Sequence, residues 1–212
     1  MKTLVFVLFG LLASPALAVD LAPLKLPPPQ TGIGLPLMQA LKLRRSERAF
    51  SPRPVPPQEL SNLLWAADGI NRPESGRRTA PSAHNWQEVD LYVVLPDAAY
   101  LYDAKANTLL PVAAGDLRGL CGTQPFVKAA PLNLVYVTDM GRVTAKDDDD
   151  TKMVTGVDVG LVAENAYLYC ASQGLVAVVR GSVDRPRLAQ ALKLRPNQKV
   201  MLSHTIGYPA EK

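Results

Sequence analysis

The segment Thr155–Ser172 places the tightest limit on the fold. Val159, Val162, Ala163, Ala166, Tyr167 and Cys170 recur at spacings of three and four, so they line one side of an α-helix. Gly174 follows, a residue that ends helices readily because it accepts left-handed backbone. The segment is apolar enough to be a central buried helix, and such a helix needs other elements packed round it. The rest of the chain supplies them. Leu91–Leu95, Leu132–Thr138, Leu175–Val179 and Val200–Ile206 read as strands. Pro96-Asp97 turns the first of these, and Tyr100–Tyr102 followed by Thr108–Leu110 suggests a hairpin. Helices are expected from Pro36 through Leu43, from Pro56 to Gly69 with Leu60, Leu63, Leu64 and Ala67 inward, and after the capping residue Asp184. A short helical piece is expected over Asp116–Cys121. The order is helices, strands, helices, strands rather than a strict alternation, which predicts an α+β fold.

The first residues look like a targeting signal. Met1-Lys2-Thr3 is a short basic start, Leu4–Leu12 is apolar, and Ala16-Leu17-Ala18 offers a small-x-small cleavage site. The apolar run is too short to span a bilayer, no cysteine follows the site for a lipid anchor, and no Arg-Arg pair precedes the run. We therefore expect residues 1–18 to be a signal peptide and the protein to be exported to the periplasm, with no stable membrane anchor after cleavage. Residues 19–34 hold Pro23, Pro27, Pro28, Pro29, Gly32 and Gly34 and read as an extended tether. Residues 35–212 then form one domain, for which a hydrophobic content of 48% is ample.

Charge narrows the partners. The net charge of +4 is spread along the chain and aromatic residues make up only 6%, so the basic, aromatic-interleaved stripe of a nucleic-acid binder is missing. Asp147–Asp150 reads as a solvated loop, because the glycine and closing glutamate of a calcium loop are absent. Asn71–Ser82 reads as a polar loop with Arg72, Arg77 and Arg78. Two histidines and two cysteines, widely spread, make no zinc pattern, so no metal is expected. Cys121 and Cys170 are expected as small buried groups in separate helices, although an oxidising compartment leaves pairing open.

One short stretch carries chemistry. Arg44-Arg45-Ser46-Glu47-Arg48 puts three guanidiniums and a hydroxyl within five residues. A guanidinium is a planar fork of donors that matches phosphate oxygens. Alone, the stretch reads equally as a helix ending in basic residues that favour its negative dipole end. No catalytic triad, Walker loop or GxGxxG is present, and the catalytic residues are unknown. His84 and Tyr92 are conceivable proton donors that read more simply as a polar loop side chain and a strand aromatic.

The motifs taken together resemble the nitroreductase family of flavoproteins, and most of all its SagB-type dehydrogenase branch. Arg44-Arg45-Ser46-Glu47-Arg48-Ala49-Phe50 is similar to the family's opening motif, and Leu60–Gly69 to the helix that follows it. Thr79-Ala80-Pro81-Ser82-Ala83 resembles its Pro-Ser-[Ser/Ala] turn. Gln124-Pro125-Phe126-Val127, Ala130-Pro131, Glu164-Asn165, Gly174-Leu175, Gly181 and Ile206-Gly207-Tyr208-Pro209 continue in the family order, with Glu164 where glutamine is usual. The resemblance runs from about Leu35 to Pro209, and joint order is more specific than any one match.

That resemblance implies a nitroreductase-like fold, a central mostly antiparallel sheet flanked by helices, in a homodimer. It implies a non-covalent FMN, with NAD(P)H as donor where it is accessible and a small organic acceptor in a second half-reaction. Arg44, Arg45, Ser46 and Arg48 would contact the phosphate, ribityl chain and ring edge. Pro81, Ser82 and Ala83 would line the flavin from the partner subunit, and Arg180 and Gly181 would approach it through backbone groups. Lys212 would stand in for the family's C-terminal basic residues. The competing expectation is an exported binding or scaffold protein that keeps the fold without redox turnover.

Overall fold

The computed structural model describes residues 21–145 and 148–211, so the expected signal peptide and Lys212 lie outside the described residues. Fourteen regular elements follow in chain order: β1 (Leu24–Lys25), α1 (Leu37–Leu43), α2 (Pro57–Asp68), β2 (Ile70–Arg72), β3 (Arg77–Arg78), β4 (Val89–Val94), β5 (Ala98–Asp103), β6 (Thr108–Ala114), α3 (Phe126–Ala129), β7 (Leu132–Asp139), α4 (Asp148–Gln173), β8 (Val176–Arg180), α5 (Arg185–Ala191) and β9 (Gln198–Gly207). Seven strands form one sheet in the order β1-β6-β5-β4-β7-β9-β8. Every pairing in it is antiparallel. The expected α+β architecture, a central antiparallel sheet flanked by helices, is what the chain forms.

The sheet is sealed on both faces at its centre. All eight residues of β7 are buried, as its near-continuous apolar sequence demands. On one face Leu134 and Tyr136 pack with Leu63 and Leu64 of α2 and with Val159, Val162 and Ala166 of α4. On the other, Val135 and Val137 pack with Val127 of α3 and with Leu188 and Leu192 near α5. Cys170 belongs to the first layer and Cys121 to the second. Both are free thiols, because the sheet stands between them. Among the described residues no helix is long and apolar enough to cross a membrane.

Three local expectations change. Of the acidic run Asp147–Asp150, Asp147 lies outside the described residues, and the rest is helix rather than loop: α4 begins at Asp148, and the carboxylates of Asp149 and Asp150 meet the positive end of its dipole. The polar stretch after α2 contains the β2–β3 ribbon, with Ile70 opposite Arg78 and Arg72 opposite Arg77. The proline-rich segment is extended, but it also joins the domain. Its β1 pairs with β6, and the Pro27 carbonyl accepts from Ser61 Oγ at 2.6 Å and Asn107 Nδ2 at 2.8 Å. Prolines that cannot donate to a ladder still offer carbonyls to side chains.

Gly207, at the end of β9, shows how tightly the sheet's last corner is packed. A Cβ there would sit 2.8 Å from Pro131 Cδ and 3.4 Å from Phe50 Cδ1. A proline ring cannot rotate away, so Gly207→Ala is expected to cost about 1–3 kcal/mol of stability, read as a lower urea midpoint with an unchanged m-value.

Candidate functional site

α1 ends where Arg44 N donates to Ala40 O at 2.8 Å. The backbone then straightens and lies along β8. Ser46 forms a parallel bridge with Ala177, and Glu47 N donates to Ala177 O at 2.9 Å. A few residues on, Phe50 bridges Pro209, and Ser51 N donates to Tyr208 O at 2.9 Å. The arginine motif is thus fastened to the sheet edge at one end and to the segment after β9 at the other.

Beneath it stands Tyr167 of α4. Its hydroxyl accepts from Val179 N at 2.7 Å and shares a hydrogen bond with Ser46 Oγ at 3.0 Å. The Arg44 guanidinium lies 5.3 Å from the centre of the same ring, within cation–π range, and its Nε is 3.8 Å from Glu164 Oε1. Arg45 pairs with Glu47. Both pairs are solvent-exposed enough to contribute at most about 1 kcal/mol each, so an incoming anion can displace them. Arg44, Arg45, Tyr167, Ala177 and Pro209 border a pocket of about 240 Å³. Arg48 is exposed, does not border that pocket, and has no polar partner among the described residues.

Pro81 and Ser82 border a different pocket, of about 420 Å³. Its turn is held from two sides: Ala83 N donates to Asp158 Oδ2 of α4 at 2.9 Å, and Gln87 N donates to Ser82 Oγ at 3.0 Å. Within it His84, Asn85 and Gln87 have φ of 50°, 56° and 48°. Three non-glycine residues in left-handed backbone within four positions is strain of the kind that gathers at functional sites. Asp158 and Tyr167 stand nine residues apart on α4, about 13 Å along its axis. Within one chain the arginine motif and the Pro-Ser turn therefore lie at two separate places.

The third expected group divides. Gly181 is exposed just past β8. Arg180 turns its side chain inward, where its guanidinium donates to Cys121 O at 3.2 Å, Asn133 Oδ1 at 3.3 Å, Ser203 Oγ at 3.3 Å and Thr205 Oγ1. Burial lowers its pKa to about 10, which leaves it charged at neutral pH. Tyr92 is buried in the second core layer, and His84 is exposed beside Trp86 in the Pro-Ser turn. Sequence reasoning missed Tyr167 as a site residue because its spacing on α4 marks it as core. It missed Asn85 and Gln87 because left-handed backbone leaves no periodic trace.

It also missed a buried acid. Glu88 follows the turn directly, is fully buried, and neither carboxylate oxygen has a hydrogen-bond partner among the described residues. Burial pushes its pKa up to about 7, and the nearby Asp158 charge adds to the rise. Among the described residues no group of three or more His, Cys, Asp or Glu side chains is placed to hold a metal ion.

The model of the nitroreductase family matches residues 41–208. The chain belongs to the nitroreductase family. The match spans the arginine motif, the Pro-Ser turn, α4 and all of β8 and β9. A crystal structure of a candidate nitroreductase from Ralstonia eutropha JMP134 is 44% identical, with a TM-score of 0.86 over 96% of this chain and 97% of that one. A candidate nitroreductase from Methanocaldococcus jannaschii is 28% identical over 179 residues, 77% of this chain and 90% of its own. An FMN reductase [NAD(P)H] from Bacillus subtilis strain 168 is 25% identical over 190 residues, 83% of this chain and 67% of its own.

In this family member Glu88 links the Pro-Ser turn to pH. Between its ordinary value of 4.5 and about 7 the folded chain keeps a proton that the unfolded chain releases. The native state then binds more protons, so stability falls as pH rises through that window and levels off above it. Glu88→Gln is expected to flatten this slope and to gain on the order of 1–3 kcal/mol at about pH 8. Urea unfolding at about pH 5 and pH 8 reads the difference, and parallel profiles for the two proteins would contradict it.

Proposed function

We propose that the chain is an FMN-dependent oxidoreductase acting as a homodimer on a small organic acceptor, such as a nitro compound or quinone. The observation that carries this is the gathering of Arg44, Arg45 and Ser46 over Tyr167 at the β8 edge, in a chain the family model matches over 41–208. The B. subtilis relative named as an FMN reductase supports the choice of flavin and of NAD(P)H as donor. The residues present fit the group. The two guanidiniums that border the pocket answer the acceptor oxygens of a phosphate, the Ser46 hydroxyl stands next to them on Tyr167, and Leu43, Leu175 and Val176 give the pocket apolar walls.

Bound there, FMN supplies the hydride and electron transfer, taken from a donor and passed to an acceptor in two half-reactions. The protein's part is to bind and orient. Arg44 and Arg45 would neutralise the phosphate. Ser46 would offer its hydroxyl from a position that Tyr167 OH holds. Arg180 and Gly181 would contribute backbone groups to the flavin site, and the Pro81–Ala83 turn would complete it from a second subunit. Closure from outside is needed, because about 240 Å³ is less than the roughly 300–1,000 Å³ of cavities that enclose a ligand of cofactor size.

The surface supports a second subunit. Large apolar side chains are exposed along α1, at Leu37, Met38 and Leu41, and along α4, at Met153, Val157 and Leu161. The three on α4 are four residues apart, and α1 packs against α4. Exposed apolar side chains of this kind mark an interaction surface, and a two-fold pairing would bury them against their copies in a second subunit. Within the family we place the chain near the SagB-type branch on its motif order, and we read Met1–Ala18 as an export signal.

The test is the visible spectrum and mass of the protein purified from the periplasm. A flavin band near one per chain, on a protein that begins at Val19, is expected. Arg44→Ala should weaken FMN binding by about 10–100-fold, the equivalent of one charge-assisted contact. A colourless protein that takes up no added FMN would return the chain to the binding or scaffold reading. Leu161→Asp should shift the sedimentation coefficient from dimer to monomer, and an unchanged value would remove α4 from the interface.

A further inference from the structure

The Pro-Ser pocket carries more positive charge than closing a flavin site requires. Arg72, Arg77 and Arg78 all border it, together with Ser82, Asn85 and His84, and no carboxylate lines it. The three guanidiniums are not equivalent. Arg78 is committed, donating to Asp68 Oδ2 at 2.8 Å and to Gln87 Oε1 at 3.1 Å. Arg72 is held in place without losing its charge, since its Nη2 donates to the Arg78 carbonyl at 2.7 Å and its Nε to Asn71 Oδ1 at 3.0 Å. Arg77 is exposed and has neither an acid nor a hydrogen-bond acceptor among the described residues. The β2–β3 pairing sets Arg72 opposite Arg77, so one fixed and one unpartnered arginine border the same pocket from neighbouring strands. Two adjacent like charges are unfavourable by themselves and are relieved by an anion between them.

We infer that this pocket takes an oxyanion, the carboxylate or phosphate group of a substrate, with Arg72 and Arg77 as its receptors. The substrate role rests on the reading above, that this turn of one subunit faces the flavin site of its partner; the anion binding itself does not. The planar fork of each guanidinium suits a two-oxygen group, Ser82 and Asn85 offer neutral donors at the same wall, and the apolar remainder of the substrate lies toward Pro81 and Ala80. The class of substrate is then a small aromatic acid or a phosphorylated compound rather than a neutral one.

The experiment is a calorimetric titration of the purified full chain with 4-nitrobenzoate and with its uncharged analogue 4-nitrobenzamide, at about pH 8 and low salt, with and without added FMN. 4-Nitrobenzoate should bind about tenfold or more tightly than the amide, and the preference should shrink as salt is raised. Arg77→Gln, which removes no contact of the folded chain, should reduce the preference several-fold, and Arg72→Gln combined with it should abolish it. Inorganic pyrophosphate, titrated in parallel, separates the sources: loss of pyrophosphate binding alone in the variants assigns the pocket to a donor's phosphates, and loss of nitrobenzoate binding assigns it to an acceptor's carboxylate. Equal affinity for acid and amide with no pyrophosphate binding, or a preference unchanged in the double variant, overturns the inference. A protein that holds FMN but shows no anion preference defeats this inference alone. A protein that refuses FMN yet binds the anion through Arg77 defeats the flavin reading alone.

Discussion

The complete burial of β7 is the constraint on which the rest depends. A strand with every side chain enclosed needs cover on both faces, and α2 with α4 on one side and α3 with α5 on the other provide it. Enclosure then makes demands on the polar residues of the central strands. Asn133, Ser203 and Thr205 lie fully buried, and the Arg180 guanidinium answers them as a group. Across the sheet His204 is buried beside Tyr136, with Nδ1 and the phenol sharing a hydrogen bond at 2.8 Å. Burial drives the imidazole pKa down to about 3, so it stays neutral. The core tolerates one buried cation because it can supply several acceptors for it, and it tolerates the histidine because that ring need not charge.

Tyr167 connects this core to the surface chemistry. Its ring lies 4.4 Å from that of His204, while its hydroxyl emerges at the β8 edge to meet Val179 and Ser46. The arginine motif therefore does not hang on a free loop. It rests on a side chain whose own position is set by the packing of α4, which is how a binding group is held within a small fraction of an ångström. The arginine motif and the Pro-Ser turn share this helix, since Asp158 steadies the turn from the same element.

Periodicity in the sequence was enough for the main elements, because α4, β7 and β9 obey strong burial patterns. For the arginine motif residue type was not enough, since the stretch alone also reads as a basic helix end, and its reading as a phosphate site came from motif order. What escaped follows from physics that leaves no pattern. Asp147–Asp150 read as a solvated loop, because a run of one charge shows no helical period, and the start of α4 at Asp148 is decided by the turns that follow. Strands of two or three residues, such as β1 and β3, are too short to show alternation. The left-handed backbone at His84, Asn85 and Gln87 lies in a turn held by Ser82 from within and by Asp158 from α4, and neither bond leaves a trace in sequence periodicity. Tyr167 was visible as a core residue, but a hydroxyl at the end of a buried ring has its partner chosen by tertiary structure.

The parallel bridge between Ser46 and Ala177 has a consequence beyond binding. β8 is the last strand of the sheet, and an unpaired strand edge is a template for other extended chains. By laying the backbone of residues 46–47 along β8, the fold occupies part of that template with its own polypeptide. At the opposite edge β1 covers only Thr108 and Leu109 of β6, so residues 110–114 form the outer strand there, with Pro111 among them offering no N–H to a neighbour. On the β8 side the sheet ends in a borrowed segment, and the motif that would hold a cofactor also guards that edge against other copies of the chain.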